Sequence, residues 1–284
     1  MELRRTRAAD LPALFDIFNA AIGDVYRRHA FDPPAPPLEV FANQQQHVLA
    51  HDGERCFVAE KGSAAVGFAS AWARDEVWFL ASLFVRPEAQ GAGVGKALLD
   101  AVWGEDGGRR TTITDAIQPV SNALYARRGL VPATPVLSFG GVPRAEAPRG
   151  LEPLAGEPDR DTLRSLDVAA YGCDRAVDHA YWSALARRTV WLRDGAAVAW
   201  SYVFPGGAVG PVAGADGAAA AHALQAELAR ARAEVRVRIP GSARAAVEVA
   251  LAAGLRLGPT PGLLLLSEAV APPTALAVGS YTLF

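Results

Sequence analysis

The sequence predicts an α/β chain, of α+β character, built from two successive units. Three observations carry this. Strand-sized apolar runs alternate with helical patterns along all 284 residues. One run, residues 78–85, leads into a glycine loop, Gln90-Gly91-Ala92-Gly93-Val94-Gly95, and then into a helix pattern through Leu98, Leu99 and Val102. After a stretch rich in glycine, proline and charge, residues 140–150, the same succession of segments starts again. The length admits one large or two ordinary domains. With 51% apolar and 20% charged residues, a buried core is available and wholesale disorder is excluded.

The elements follow in order. Residues 3–7 alternate weakly and read as a first strand. Asp10 is placed to cap a helix that carries Leu11, Leu14, Phe15, Ile17 and Phe18 and runs towards Tyr26 or His29. Residues 31–37 contain four prolines and read as an extended loop. A second helix covers residues 38–51. Strands over 55–61 and 64–74 join through Lys61-Gly62-Ser63. The central run ends at Arg86-Pro87, because proline removes a ladder donor. Residues 110–116 form the next strand. Pro119, favoured in a first helical turn, opens a helix that Gly129 ends. Residues 131–139 close the unit with proline breaks.

Composition excludes several roles. A net charge of −2 argues against a general polyanion binder. Nearly all positive charge is arginine, and alanine is abundant, the usage of a high-GC bacterium. Cys56 and Cys173 sit far apart in apolar surroundings and read as buried small hydrophobes, not as a disulfide or metal pair. The first residues lack the apolar core of a signal peptide, and no apolar run is long enough to span a bilayer. A soluble cytoplasmic protein is the expectation.

The glycine loop follows a strand and opens a helix, the geometry that presents free backbone N–H groups to a phosphate. A Walker loop would need a hydroxyl after Lys96, and Ala97 stands there. In a dinucleotide fingerprint the third glycine would fall one residue later. The remaining pattern, Gln/Arg-x-x-Gly-x-Gly/Ala, fits Gln90 to Gly95 fully, with Leu83-Phe84-Val85-Arg86-Pro87-Glu88 before it. This stretch resembles motif A of the GNAT N-acetyltransferases. A second match lies in the helix after Pro119: Tyr125 stands four residues before Gly129-Leu130, as in motif B of that family. Where the family often has an asparagine, this chain has Gln118, with Asn122 nearby. The resemblance covers the first half. It implies a mixed, mostly antiparallel central sheet flanked by helices.

The second half echoes the first. Ala20-Ala21-Ile22-Gly23-Asp24 returns as Ala169-Ala170-Tyr171-Gly172-Cys173-Asp174, and Ala64-Ala65-Val66-Gly67-Phe68 as Ala196-Ala197-Val198-Ala199-Trp200. Gly129-Leu130-Val131-Pro132 returns as Gly254-Leu255-Arg256-Leu257. The chemistry does not return. Val212-Ala213-Gly214-Ala215-Asp216 replaces the glutamine-glycine frame, and Ala250 stands where the first copy has Tyr125. The expected organisation is therefore a tandem GNAT protein: an active domain over 1–140, a linker over 141–150, a degenerate copy over 151–268 and a tail over 269–284. The degenerate copy is either structural or a wall that selects the acceptor. The tail, with Pro272-Pro273 and an apolar end, either docks on the body or is mobile.

The resemblance implies transfer of an acetyl group from acetyl-CoA to a primary amine. Loop N–H groups of Gln90, Gly91, Ala92, Gly93, Val94 and Gly95 would hold the pyrophosphate, with Lys96 adding charge. Strand backbone at Leu83, Phe84 and Val85 would pair with the pantetheine arm and supply an oxyanion N–H. Gln118 and Asn122 would contact the arm from the other side. Tyr125, neutral at pH 7, would protonate the leaving thiolate. Glu76 is the first choice for the base and Asp75 the second, as carboxylates at the start of the central strand. Tyr26, His29, His47 and His51 are candidate walls of the acceptor side. Trp72 and Trp78 fit either an acceptor pocket or sheet packing. The expected partner is a small-molecule amine, with no metal, nucleic acid or membrane; a homodimer is left open. The alternatives are a non-catalytic acyl-CoA sensor and a protein N-acetyltransferase.

Overall fold

The computed structural model describes residues 1–32, 36–104, 108–267 and 271–284. Part of the expected proline loop, 33–35, and the expected junction of second copy and tail, 268–270, lie outside the described residues. The first unit runs β1 (Glu2–Arg5), α1 (Leu11–Arg28), α2 (Leu38–Asp52), β2 (Cys56–Lys61), β3 (Ala64–Arg74), β4 (Val77–Val85), α3 (Val94–Trp103), β5 (Arg109–Asp115), α4 (Pro119–Ala126) and β6 (Leu130–Gly141). The second runs β7 (Glu152–Pro153), α5 (Arg160–Tyr171), α6 (Ala176–Leu185), β8 (Arg187–Arg193), β9 (Ala196–Val203), β10 (Ala208–Gly214), α7 (Gly217–Arg230), β11 (Val235–Pro240), α8 (Arg244–Ala252), β12 (Arg256–Leu257) and β13 (Gly262–Ser267). A last strand, β14 (Leu276–Ala277), lies in the tail.

Local sequence explains most elements. Leu11, Leu14, Ile17, Ala21 and Val25 recur at helical spacing and are the buried stripe of α1. Asp10 corrects its expected role. Its carboxylate caps no N–H of α1; Arg4 takes both oxygens at 2.7 and 2.8 Å, and one also accepts the Arg7 N–H at 2.7 Å. A bidentate charged partner outcompetes a neutral helix N–H. α1 and α2 pack on one face of the first sheet, over Val58 and Phe68. α3 covers the other face, with Leu98 and Leu99 against Ala59, Ala69 and Leu80.

All described strands join one sheet, in the order β1-β2-β3-β4-β5-β13-β6-β11-β10-β9-β8-β7, with β12 beside β6 and β14 beside β10. Only β4–β5 and β10–β11 are parallel, and they occupy matching places in the two units. The units exchange strands. β13, from the second half, lies between β5 and β6 of the first. The long β6 pairs with β13 over its first part and with β11 over residues 136–141. The chain after Gly129 and the chain after Gly254 thus behave alike: residues 136–141 cross to β11 of the second unit and β13 crosses to β5 of the first. Both glycines have positive φ, 80° and 77°, and end α4 and α8 in the same way.

The units are also locked by a buried ionic cluster. Asp178 of α6 accepts from Arg175 Nε at 2.6 Å, from His47 Nε2 of α2 at 2.7 Å and from Arg74 Nη2 of β3 at 3.4 Å. The Arg175 guanidinium lies over the rings of Trp72, Tyr171 and Trp182. Trp72 also stacks on Phe79, so its role is packing. Trp78 is likewise buried, beneath α3.

The tail docks. β14 pairs with β10, Val278 bridges to Arg238 of β11, and Leu276, Val278, Leu283 and Phe284 are buried in the core between the units. Trp72 Nε1 donates to the Thr282 carbonyl at 3.1 Å.

Candidate active site

The site begins where two parallel strands part. β4 and β5 pair only from Val77↔Arg109 to Leu80↔Thr112. A bulge sits at that point: against β3, Ser82 opposes Ser70 while Leu80 opposes Ala71, so Ala81 is the extra residue. Beyond it, residues 81–85 keep β3 on one edge and have no strand on the other among the described residues. Unpaired strand edge is a template for an extended partner. Leu83, Phe84 and Val85 line this open edge.

The glycine loop stands at the open end. Gly91 and Gly93 have φ of 78° and 82°, and a Cβ built on either would meet nothing within 4 Å. Their need for glycine is therefore conformational, and the surface above them is free for a ligand. Gly93 is the N-cap of α3 and Ala97 N–H makes the first helical bond, to the Gly93 carbonyl at 3.0 Å. Val94, Gly95 and Lys96 thus carry the N–H groups that precede the helix ladder. The Gln90 side chain turns inward and donates to the Val85 carbonyl at 2.9 Å, fastening the loop to the strand end. Ala92 is exposed beside it. The Lys96 ammonium lies 2.8 Å from Asp100, one turn on, and Arg128 pairs with the same carboxylate. One carboxylate thus faces two cations, and a net positive charge remains on the surface beside the loop.

Helix α4 supplies the other wall. Tyr125 is buried in one cluster with Leu80, Val85, Val94 and Leu265, the residues around the parting strands. Burial pushes its hydroxyl well above the usual tyrosine range, against a smaller opposite effect of the nearby Ser121 side chain. It is a protonated donor under all ordinary conditions. Gln118 is the N-cap of α4, its Oε1 accepting the Val120 N–H at 3.3 Å. Asn122 Nδ2 reaches the Ala116 carbonyl at 3.5 Å, while its Oδ1 is buried with no hydrogen-bond partner among the described residues. A buried acceptor without a donor suits an amide N–H laid along the opening.

Other expected residues lie elsewhere. Glu76 sits in the exposed turn before β4, and its carbonyl accepts the Arg109 N–H at 2.8 Å, where β4 and β5 are closed. Five residues of strand separate it from the bulge, roughly 16 Å at strand rise. The structure does not bring Glu76 and Tyr125 together. Asp75 accepts the Asp174 N–H at 2.8 Å and ties the two units. His47 belongs to the Asp178 cluster, with the His51 ring 4.8 Å away, and His29 holds the Val25 carbonyl at 2.9 Å. Of the four candidate wall residues, Tyr26 alone is joined to the end of β5, through Asp115 at 3.1 Å.

Two features escaped the sequence reading. Gln45 of α2 donates to Ser82 Oγ at 2.9 Å and accepts from Ser70 Oγ at 3.1 Å, a buried polar link that fixes the bulge from the α1–α2 face. Asp115, the carboxylate that ends β5, is half-buried, with Tyr26 of the first unit bonded to it and Arg238 of the second acting on it. The only signal in the sequence is a charge closing the strand Thr111-Thr112-Ile113-Thr114.

Among the described residues the second unit has no such opening. β10 and β11 also part after two pairs, but β14 fills the gap, pairing Val212↔Ala277 and Ala213↔Leu276. Gly214 N–H donates to the Ala275 carbonyl at 2.9 Å, and the Thr274 carbonyl lies where a Cβ on Gly217 would be crowded. Asp216 caps α7 through the Ala219 N–H at 2.7 Å. Backbone carbonyls and a carboxylate thus occupy the place where the first unit presents glycines.

Residues 52–131 match the family model described as the acetyltransferase (GNAT) domain. No curated protein matches the chain. Among solved structures, a Pyrococcus horikoshii protein is similar over 99% of this chain and 95% of its own, at 16% identity and a TM-score of 0.75. A GCN5-related N-acetyltransferase from Sphaerobacter thermophilus matches over 99% of this chain and 98% of its own, at 16% identity and TM-score 0.64. A tandem GNAT protein from the clavulanic acid biosynthesis pathway matches over 95% and 99%, at 15% identity and TM-score 0.58. At these identities the likeness is one of fold. No described helix is long and apolar enough to cross a membrane. Residues 52–131 thus match a GNAT acetyltransferase domain, and the chain has, along its whole length, the fold of the tandem GNAT protein.

Proposed function

We propose that the first unit is an acetyl-CoA-dependent N-acetyltransferase that acts on a primary amine of a small molecule. One observation carries the reading: the opening between β4 and β5 has the glycine loop at its mouth and a buried, protonated tyrosine in its wall. Loop and helix N–H groups suit the pyrophosphate, and the free edge of residues 81–85 suits the pantetheine amides. An N–H on that edge would meet the thioester oxygen and stabilise the oxyanion that develops there. The amine nitrogen attacks the carbonyl carbon. The C–N bond forms, the C–S bond breaks, and the thiolate takes the Tyr125 proton. The nitrogen loses its proton to solvent or to a base, and the tyrosinate is reprotonated from solvent. The plugged second unit leaves one donor site per chain, in the first half.

The test is transfer of labelled acetyl groups from acetyl-CoA to a library of small amines, with Tyr125→Phe beside the parent. Removing the proton donor is expected to lower kcat by about 10²–10⁴-fold while the dissociation constant for acetyl-CoA stays the same. Unchanged turnover would remove Tyr125 from the chemistry. Binding of acetyl-CoA with no transfer to any amine or protein acceptor would favour a sensor instead.

A further inference from the structure

Asp115 is a half-buried carboxylate without an ion-pair partner among the described residues. Its Oδ1 accepts the Tyr26 hydroxyl at 3.1 Å, and no cationic side chain is within ion-pair distance among the described residues. The Thr260 side chain lies beside the Tyr26 hydroxyl. Gly262 pairs with Asp115 across β5–β13, and the Tyr281 hydroxyl lies on Gly262 where any Cβ would collide with it. Arg238 is the nearest cation, but its guanidinium covers the Tyr281 ring at 5.4 Å and reaches the Gly279 carbonyl at 3.5 Å. Burial raises the Asp115 carboxyl, and the Tyr26 hydrogen bond and Arg238 oppose it less strongly. The groups facing it are therefore two tyrosines, a threonine and one arginine already engaged, drawn from α1, β11, the loop before β13 and the tail.

This cluster stands beside the opening. β4 and β5 part at Leu80 and Thr112, and Asp115 lies three residues further along β5, about 10 Å at strand rise. It falls on the same strand face as Ile113, which belongs to the core between the units, and Tyr26 reaches it from α1. This is the face opposite α3 and Tyr125. An acceptor entering from that face would meet the thioester at the parting point and Asp115 beyond it.

We propose that Asp115, with Tyr26 and Tyr281, binds a second positive charge on the acceptor, so that the preferred acceptor is a diamine with a short aliphatic spacer. The proposal rests on the acetyltransferase reading. A desolvated carboxylate bonds an ammonium strongly, and tyrosine rings attract it further. About 10 Å, less one hydrogen bond of roughly 3 Å, leaves room for a spacer of several methylenes. Because Tyr281 belongs to the tail and Thr260 precedes β13, the second half completes this site. That gives the degenerate unit a role in choosing the acceptor.

The test compares straight-chain diamines of three to six carbons with monoamines of the same lengths as acceptors. The parent should favour a diamine by about tenfold or more in kcat/KM. Asp115→Asn should erase that preference by raising the diamine KM about tenfold or more with little change in kcat; Asp115→Glu should restore part of it. Tyr26→Phe, which keeps the carboxylate and removes one hydrogen bond, should raise the diamine KM by a smaller factor. A parent without diamine preference, or an Asp115→Asn variant that keeps it, would overturn the proposal. If no amine of either kind is acetylated, the enzyme reading fails separately. Calorimetry of 1,4-diaminobutane into the CoA-saturated chain then decides: binding that Asp115→Asn abolishes supports the site, and no binding refutes it.

Discussion

Replacing Asp178 by alanine is expected to cost about 3–5 kcal/mol of stability, the range for breaking a buried ion pair from one side. The side chain accepts three charged or chargeable donors, from Arg175, His47 and Arg74, within 2.6–3.4 Å. Arg175 is 0% exposed. Without Asp178 the Leu283 carbonyl at 2.5 Å would be its one remaining hydrogen-bond acceptor among the described residues, and its Nη1 already lacks one. The loss is thus mainly the desolvation of a stranded guanidinium. At roughly 2 °C per kcal/mol for a chain of this size, Tm should fall by about 6–10 °C. Urea unfolding followed by tryptophan fluorescence and by circular dichroism measures the change; Trp72 and Trp182 flank Arg175. Acid adds a second readout. Burial disfavours the charged carboxylate, but Arg175, His47 and Arg74 outweigh it and hold Asp178 well below the usual range. A carboxyl depressed in the fold stabilises above its unfolded pKa, near ~3.9, and loses that contribution as pH drops below it. The gap between parent and variant should therefore narrow only under strongly acidic conditions. The paired change Arg175→Met with Asp178→Leu should recover much of the loss. A single-variant cost under about 1 kcal/mol, or a double variant no better than the single, would refute the account of this interlock.

Three further outcomes are expected. Gly93→Val forces a β-branched residue to φ near 82°, so the loop must rearrange, and acetyl-CoA affinity should drop by about tenfold or more in calorimetry; retained affinity would remove the loop from the site. Because burial holds Tyr125 far above the usual tyrosine value, kcat should show no alkaline loss between about pH 7 and 10 from this group; a falling limb that Tyr125→Phe abolishes would contradict that. Leu276→Ala, in the strand that plugs the second opening, should cost about 2–5 kcal/mol in urea unfolding. A neutral result there would mean the tail is not part of the core.

The donor half of the site was legible because it is local. A strand, two glycines that must take positive φ and a helix start follow one another in the chain, and Tyr125 sits at a fixed distance from Gly129. The proposed acceptor side was not. Asp115 is one charge at a strand end until Tyr26 and Tyr281, 89 positions before it in one case, are brought to it by the fold. Strand exchange was hidden for a similar reason. Residues 130–141, with their proline breaks, and the apolar run 262–267 read as strand-sized, but nothing in them says which neighbour each strand takes. Glu76 illustrates the limit from the other side. Its place before β4 was readable, yet which end of β4 opens depends on where β5 stops pairing, and it stops at Thr112, far from Glu76.

The central claim is that one acetyl-CoA binds per chain, at the glycine loop of the first unit. Isothermal titration of acetyl-CoA into the full chain tests it most directly, with Gly93→Val as the companion. The account expects a stoichiometry of one that the Gly93 variant abolishes. Two sites per chain, or one site indifferent to Gly93, would contradict it.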